Sequence, residues 1–154
     1  MIAAKIMATK VETLTVDHTI ADALKIIWEK RIRQLPVVDE NKKVLGLVTP
    51  RLLLRSILPG YISKGYLKDV KFAPELTQFV QNLDMLAEKK IGDIINHDFC
   101  IVSPETSSME VAALFINEEK HVECIMVADN MDRILGIISP VDVFKRICEF
   151  EEEK

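Results

Sequence analysis

The stretch IRQLPVVD at residues 32–39 returns as VECIMVAD at residues 122–129, a shift of 90 positions. At the same shift, VLGLVTP at 44–50 returns as ILGIISP at 134–140. Self-similarity at a fixed spacing is typical of chains built from structural repeats. The second half of the chain is therefore a diverged copy of the first.

The alignment continues towards the N-terminus with small changes of shift. The segment IADAL at 20–24 aligns with MEVAA at 109–113 at a shift of 89, and KIM at 5–7 aligns with DII at 93–95 at 88. Two single-residue insertions account for this drift. The alignment divides the chain into a first repeat at 1–58, a linker at 59–90, a second repeat at 91–150 and an acidic tail at 151–154.

Each copy predicts elements in the order β-α-β-β-α. A short extended piece (11–16, 100–103) precedes a helix, and two apolar runs around a polar turn indicate a β-hairpin. A last helix opens at Thr49-Pro50 or Ser139-Pro140, with a hydroxyl at the N-cap and proline at N1. The apolar positions of the first helix are Ile20, Ala23, Leu24 and Ile27 in copy one, and Met109, Ala112, Ala113 and Ile116 in copy two.

The fold class that follows is α/β (α+β), with two pseudo-symmetric repeats packed as one unit. A copy of about 55 residues is too small to bury a comfortable core alone, so the copies should pack together. In the linker, 59–65 is predicted to be a loop, and an amphipathic helix is predicted from Pro74. The apolar face of that helix is covered either by the repeats or by a second subunit.

Composition excludes several functions. The 154 residues carry a net charge of −4, which gives no indication of nucleic-acid binding. The chain lacks an apolar run of about 20 residues and a secretion signal, so no membrane association and a cytoplasmic location are expected. The three scattered cysteines indicate neither a disulfide framework nor a metal site. Phosphate-loop and nucleophile-elbow motifs are missing, so the chain is not expected to be an enzyme.

The paired motifs V-x-x-[LI]-P-V-V-D and G-[IV]-[IV]-[ST]-x-x-D resemble the CBS domain, and two in tandem resemble a Bateman module. That resemblance implies a homodimeric sensor, with no true cofactor, that regulates a partner protein not identified by the sequence. It implies a ligand that contains adenosine: AMP, ADP, ATP or S-adenosylmethionine. The last of these is favoured if the phosphate contact is weak.

The resemblance also implies a site in one cleft between the repeats. Asp142 would accept hydrogen bonds from the ribose hydroxyls, and Ser139 would lie near ribose or phosphate. A helix N-terminus and an arginine, Arg33, would favour phosphate. The remaining candidates are Ile32, Ile137 and Val11 around the purine, together with Val141, Lys5 and Thr9.

The other cleft is expected to be incompetent. Leu52 stands at the position of Asp142, and leucine cannot accept hydrogen bonds from a ribose. Glu123 stands at the position of Arg33, where a carboxylate repels phosphate. A single binding site per chain is therefore predicted.

Two alternatives stay open. Ser139-Pro140-Val141-Asp142 also fits a capping box, which would give Asp142 a purely structural role. The chain would then be a ligand-free dimerisation or scaffolding module with decayed clefts. The direction in which Asp142 points distinguishes a sensor from a scaffold.

Overall fold

The computed structural model describes residues 1–57 and 76–152, which form six α-helices, five strands and a short 3-10 turn. In chain order these are α1 (Ala3–Ile6), α2 (Ile20–Lys30), β1 (Leu35–Val38), β2 (Val44–Val48), α3 (Pro50–Ile57), α4 (Leu76–Ala87), the 3-10 turn (Ile91–Asp93), β3 (Cys100–Val102), α5 (Ser108–Phe115), β4 (Ile125–Ala128), β5 (Ile134–Ile138) and α6 (Pro140–Glu152). The two-repeat α+β architecture predicted from the sequence is confirmed.

The two hairpins are built alike. β1 pairs antiparallel with β2, and β4 pairs antiparallel with β5. Each turn begins at an aspartate, Asp39 or Asp129, whose Oδ1 accepts two backbone N–H groups at 2.8–3.0 Å. Lys42 and Asp132 occupy the left-handed region at φ 65° and 60°. The repeated aspartate therefore stabilises the turns that set the strand register.

The extended piece that opens each repeat forms a strand only in the second. β3 pairs in parallel with β4 over three residues, whereas Leu14 forms a single parallel bridge with Val37. The next hydrogen bond of that ladder, towards Glu12, would require the N–H of residue 36. Proline has none, and the equivalent Met126 does. Pro36 therefore shortens the predicted strand at 11–16 to a bridge.

The two first helices align at a shift of 88, so the shift of 89 inferred from the sequence is wrong here. The N-caps are Thr19 and Ser107, and the helical positions with no solvent exposure are Ala23 and Val111. Of the predicted apolar stripe (Met109, Ala112, Ala113 and Ile116), only Ala112 packs against the second core. Its ends, Met109 and Ile116, are 78% and 80% exposed.

The core of each repeat is completed by the first residues of the other repeat. The N-terminal segment contributes Ala3 and Ile6 to the second core, which is built around Val111, Ile125, Val127 and Ile138. The segment after α4 contributes Ile91, with Ile94 and Ile95 packed against it, to the first core, which is built around Leu14, Ile20, Leu35, Val37 and Leu53. Neither core is complete without residues from the start of the other repeat.

Two glycines at equivalent positions allow these crossing segments to approach the sheets. A Cβ on Gly136 would lie 2.7 Å from Met7 Sδ and 2.8 Å from the carbonyl oxygen of Ala8. A Cβ on Gly46 would overlap the side chain of Ile95. Ala8 bridges β5 and Asn96 bridges β2, so each crossing segment extends the sheet that it covers.

The repeats also meet at their hairpin turns. The backbone N–H of Val44 donates to the carbonyl of Asp132, at 3.0 Å. The reciprocal bond runs from Ile134 to the carbonyl of Lys42, also at 3.0 Å. Backbone pairing therefore joins the two hairpins end to end.

The predicted linker helix is present as α4, which packs against α2 and α3. The predicted loop at 59–65 lies outside the described residues, and α6 continues through the start of the acidic tail. Within 1–57 and 76–152, no helix combines the length and apolar character required to cross a membrane.

We expect Gly46→Ala and Gly136→Ala each to destabilise the protein by about 2 kcal/mol, because the added methyl overpacks the contact with the crossing segment. Gly92→Ala is the matched control, since its nearest neighbour is Val16 Cβ at 3.1 Å and the cost should be smaller. Urea unfolding gives the three free energies. Equal losses at all three glycines would contradict the tighter contact inferred at Gly46 and Gly136.

Candidate functional site

A cavity of about 320 Å³ opens between the repeats on the Leu52 side. One wall is the start of α3 with Thr49, Arg51, Leu52 and Arg55. The facing residues come from the second repeat, Glu119–Cys124, and from the crossing segment, where Asn96, Asp98 and Phe99 contribute. The described part of the chain thus has an inter-repeat cavity on the side where the sequence predicted no competent site.

The segment between helix and hairpin differs in length between the repeats. In the first repeat Arg31–Gln34, four residues, separates α2 from β1. In the second repeat Ile116–Cys124, nine residues, separates α5 from β4. The longer segment supplies Glu119, Lys120 and His121 to the cavity wall. Sequence reasoning missed these residues because the alignment placed one insertion upstream of α5.

One ion pair and one contact between histidine and glutamate lie in the cavity wall. Lys120 Nζ lies 2.7 Å from Asp98 Oδ1, and His121 Nε2 lies 3.7 Å from Glu123 Oε1. The hydrogen bond from Lys120 to Asp98 raises the pKa of the lysine. The lysine and aspartate side chains are 45% and 71% exposed, so solvent screens their attraction. A ligand could therefore displace this pair at little cost.

Two thiols also line the cavity. Burial, followed by the nearby Asp142 carboxylate, raises the pKa of Cys124 to about 12 from its usual 9.0. Burial also raises the pKa of the half-buried Cys100, opposed by the charge of Lys120. Both thiols are therefore protonated at neutral pH, and they contribute apolar surface rather than nucleophiles.

On the other side, Asp142 forms a capping box with Ser139. Its Oδ2 accepts hydrogen bonds from the backbone N–H of Ser139 at 2.7 Å and from the hydroxyl at 2.8 Å. In return, Ser139 Oγ accepts the backbone N–H of Asp142 at 3.4 Å. In the first repeat, Thr49 Oγ1 accepts the N–H of Leu52 at 3.2 Å, and leucine returns no bond. The helix starts predicted at Thr49-Pro50 and Ser139-Pro140 are confirmed.

The structure groups several of the other predicted site residues. Ala8 and Ile137 exchange backbone hydrogen bonds of 2.8 and 3.0 Å. This pairing places Lys5 and Thr9, both exposed, on the segment that runs beside β5, and β5 leads directly to Ser139. Val141 is 70% exposed on the first turn of α6.

The two predicted residues before β1 behave differently from each other. Arg33 is exposed, whereas Ile32 is half-buried and packs against the first core. Thr9 and Val11 also line a smaller cavity of about 150 Å³, together with Thr13, Val38, Lys42, Ile134 and Leu135. That cavity lies beside the junction of the hairpin turns.

Two α+β repeats, each completed by a crossing segment of the other, with a cavity beside the last helix of the first repeat, define a class of tandem-repeat proteins. The CBS domain family matches this chain at residues 3–59 and again at 91–149, and the chain belongs to that family. The resemblance noted in the sequence is therefore confirmed over most of the chain.

Several relatives carry the match within longer proteins. The chain is 32% identical over 101 residues to homoserine O-acetyltransferase of Methanobrevibacter ruminantium, covering 62% of this chain and 20% of that protein. It is 26% identical over 142 residues to inosine-5'-monophosphate dehydrogenase of Methanocaldococcus jannaschii, covering 92% of this chain and 23% of that protein. The chain thus spans about a fifth of the length of these relatives.

Solved structures share the fold over nearly all of the chain. AcuB from Vibrio cholerae superposes with a TM-score of 0.75 at 24% identity, covering 100% of this chain and 97% of that one. CBSX2 of Arabidopsis thaliana in complex with AMP gives 0.72 at 18%, covering 97% and 98%. The CBS domain pair of protein MJ0100, in complex with 5'-methylthioadenosine and S-adenosyl-L-methionine, gives 0.68 at 17%, covering 97% of each chain.

The thiols should react in order of exposure. We expect Cys148, exposed on α6, to be modified first by a thiol reagent at pH 8, and Cys100 more slowly. Cys124 should react only after unfolding, because it is buried and its pKa is about 12. Mass spectrometry of timed samples gives the order. Modification of Cys124 at the rate of Cys148 would contradict its burial.

The same thiol gives a pH dependence of stability. The pKa of the Cys124 thiol is higher in the folded state than in the unfolded state. The contribution of this thiol to the free energy of unfolding is therefore fully present below about pH 9 and is lost as the pH rises towards about 12. We expect the free energy of unfolding of the wild type to fall more steeply between pH 9 and 11 than that of Cys124→Ala. Parallel slopes would contradict the raised pKa.

Proposed function

We propose that this chain is a regulatory module that binds a ligand containing adenosine on the Asp142 side and transmits its occupancy to a partner protein. The observation that carries the proposal is the geometry of the cavity on the Leu52 side. There the start of α3 and the residues before β4 share one cavity. Repetition of this arrangement would place the start of α6 and the residues before β1 around a second cleft.

The residues available for that second cleft suit a nucleotide. Leu52 and Glu123 both line the cavity on the Leu52 side. Their repeat counterparts are Asp142 and Arg33. A carboxylate can accept both hydroxyls of a ribose, and an arginine can bind phosphate with two hydrogen bonds. The N-terminus of α6 adds partial positive charge.

The capping box does not exclude this role. Both hydrogen bonds that Ser139 donates to the Asp142 carboxylate are accepted by Oδ2, and no described residue donates to Oδ1. Ser139 therefore holds the carboxylate in one orientation with acceptor capacity remaining. Such preorganisation reduces the entropic cost of binding.

Ligands of similar proteins support the chemical class. Structures that share the fold contain AMP in one case, and 5'-methylthioadenosine with S-adenosyl-L-methionine in another. All three ligands contain adenosine, with or without phosphate. We infer AMP, ADP or ATP as the first choice because Arg33 suits a phosphate. S-adenosylmethionine is the alternative.

We expect about one adenosine ligand per chain to bind the wild type, and Asp142→Ala to abolish binding. The matched substitution in the other repeat, Leu52→Ala, should leave the affinity unchanged. Calorimetric titration with AMP, ADP, ATP and S-adenosylmethionine measures both, and circular dichroism verifies that the variants fold. Equal losses in the two variants would contradict the one-site assignment.

A scaffolding function is the second candidate, favoured by the capping role of Asp142. If none of the four ligands binds, Asp142 is structural and assembly is the remaining function. The exposed apolar residues suit assembly: Leu54 and Phe144, at equivalent positions of α3 and α6, are 53% and 69% exposed. Both candidates therefore include a homodimer.

We expect sedimentation of the wild type at micromolar concentration to show a dimer. An interface this stable should bury at least about 1,000 Å² in total. Phe144→Glu should shift it to a monomer, because a charge would be desolvated in the interface. Met131→Glu is the control, since Met131 is 65% exposed but lies in a hairpin turn. A monomeric wild type would refute the dimer.

A further inference from the structure

The cavity on the Leu52 side has a charge arrangement that its repeat counterpart lacks. Arg51 and Arg55 lie one turn apart on α3, and both line the cavity. Glu119 and Glu123 line it from the segment before β4. The helix thus contributes only basic charges, whereas the facing segment carries the two glutamates with Lys120 and His121 between them.

The polarity is reversed relative to the Asp142 side. There the helix carries the acid, Asp142, and the segment before the hairpin carries the base, Arg33. The counterparts of Arg51 and Arg55 are Val141 and Lys145, so only one basic position is retained. A ligand that suits one cleft is therefore mismatched in the other.

The two arginines are available to a ligand. Across residues 1–57 and 76–152, neither Arg51 nor Arg55 has a carboxylate within ion-pair distance, whereas Lys120 pairs with Asp98 at 2.7 Å. His121 lies 3.7 Å from Glu123, and the glutamate side chain remains 27% exposed. Glu119 is exposed at the same wall.

When His121 is neutral, the charges that line the cavity balance. The positive groups are Arg51, Arg55 and Lys120, and the negative groups are Asp98, Glu119 and Glu123. A simple anion would be attracted to α3 but repelled by the two glutamates. A cation would meet the opposite conflict. A ligand with charges of both signs satisfies both walls. Between them lie the apolar side chains of Leu47, Leu52, Phe99 and Val122.

We propose that the cavity on the Leu52 side binds a small zwitterion without a ribose. Its phosphate or carboxylate binds Arg51 and Arg55, its ammonium group binds Glu119 and Glu123, and a short aliphatic part contacts Leu52. The leucine selects against a vicinal diol, which would lose its hydrogen bonds to water without replacement. This site uses different residues from the nucleotide site proposed above and does not depend on it.

The probes are O-phosphoethanolamine and 6-aminohexanoate, zwitterions with different anionic groups and lengths. Inorganic phosphate, hexanoate and ethanolamine carry the separate charges. We expect at least one zwitterion to bind at one molecule per chain, about tenfold or more tighter than either of its halves. Calorimetry of the full chain measures all five.

Substitutions locate the site. Arg55→Gln and Glu123→Gln should each weaken zwitterion binding about tenfold or more, through loss of a charge-assisted hydrogen bond. Lys145→Gln, at the repeat counterpart of Arg55, should leave it unchanged. Circular dichroism verifies folding, and Glu119→Gln provides a second acidic variant if Glu123→Gln does not fold.

Three results would overturn the proposal. The first is that neither zwitterion binds. The second is that phosphate or hexanoate alone binds as tightly as the zwitterion and the glutamate variants have no effect, which indicates a simple anion site. The third is that AMP displaces the zwitterion and its binding is lost in Arg55→Gln, which indicates a nucleotide site. Loss of AMP binding in Asp142→Ala leaves this proposal unaffected.

Discussion

The packing of each crossing segment against the opposite repeat is the constraint on which the rest of the structure depends. Ile6 packs in the core of the second repeat, and Ile91 packs in the core of the first. The approach is close enough that residues 46 and 136 have no room for a side chain. Because the segment after α4 continues into the cavity wall at Asn96, Asp98 and Phe99, the contact that completes the first core also positions part of the cavity.

Much of the fold could be predicted because the responsible interactions are local in sequence. The aspartates that begin the turns, the hydroxyl caps and the prolines after them act over two to four residues. The register of the first helices was mistaken because Met109 and Ile20 are both apolar, and hydrophobicity alone cannot separate shifts of 88 and 89. The N-caps Thr19 and Ser107 carried the correct signal.

The candidate site was less predictable because it depends on where distant segments meet. The crossing of the segments is a tertiary event with no periodic signature. Six of the nine residues after α5, Glu119–Cys124, line the cavity, and this segment is long because α5 ends early, at Phe115, whereas α2 continues to Lys30. Asp142, by contrast, could be singled out because its capping partner lies three positions away.

The crossing segments also affect the order in which the protein can fold during synthesis. The first core lacks Ile91 until the ribosome has passed the linker, so the first repeat cannot be completed when its own last helix emerges. The helix at Ala3–Ile6 precedes both hairpins in the chain, yet it covers a core that includes Ile138, in the last strand of the second repeat. These residues therefore emerge well before the core that they cover, and the nascent chain exposes apolar surface until the second repeat has been made.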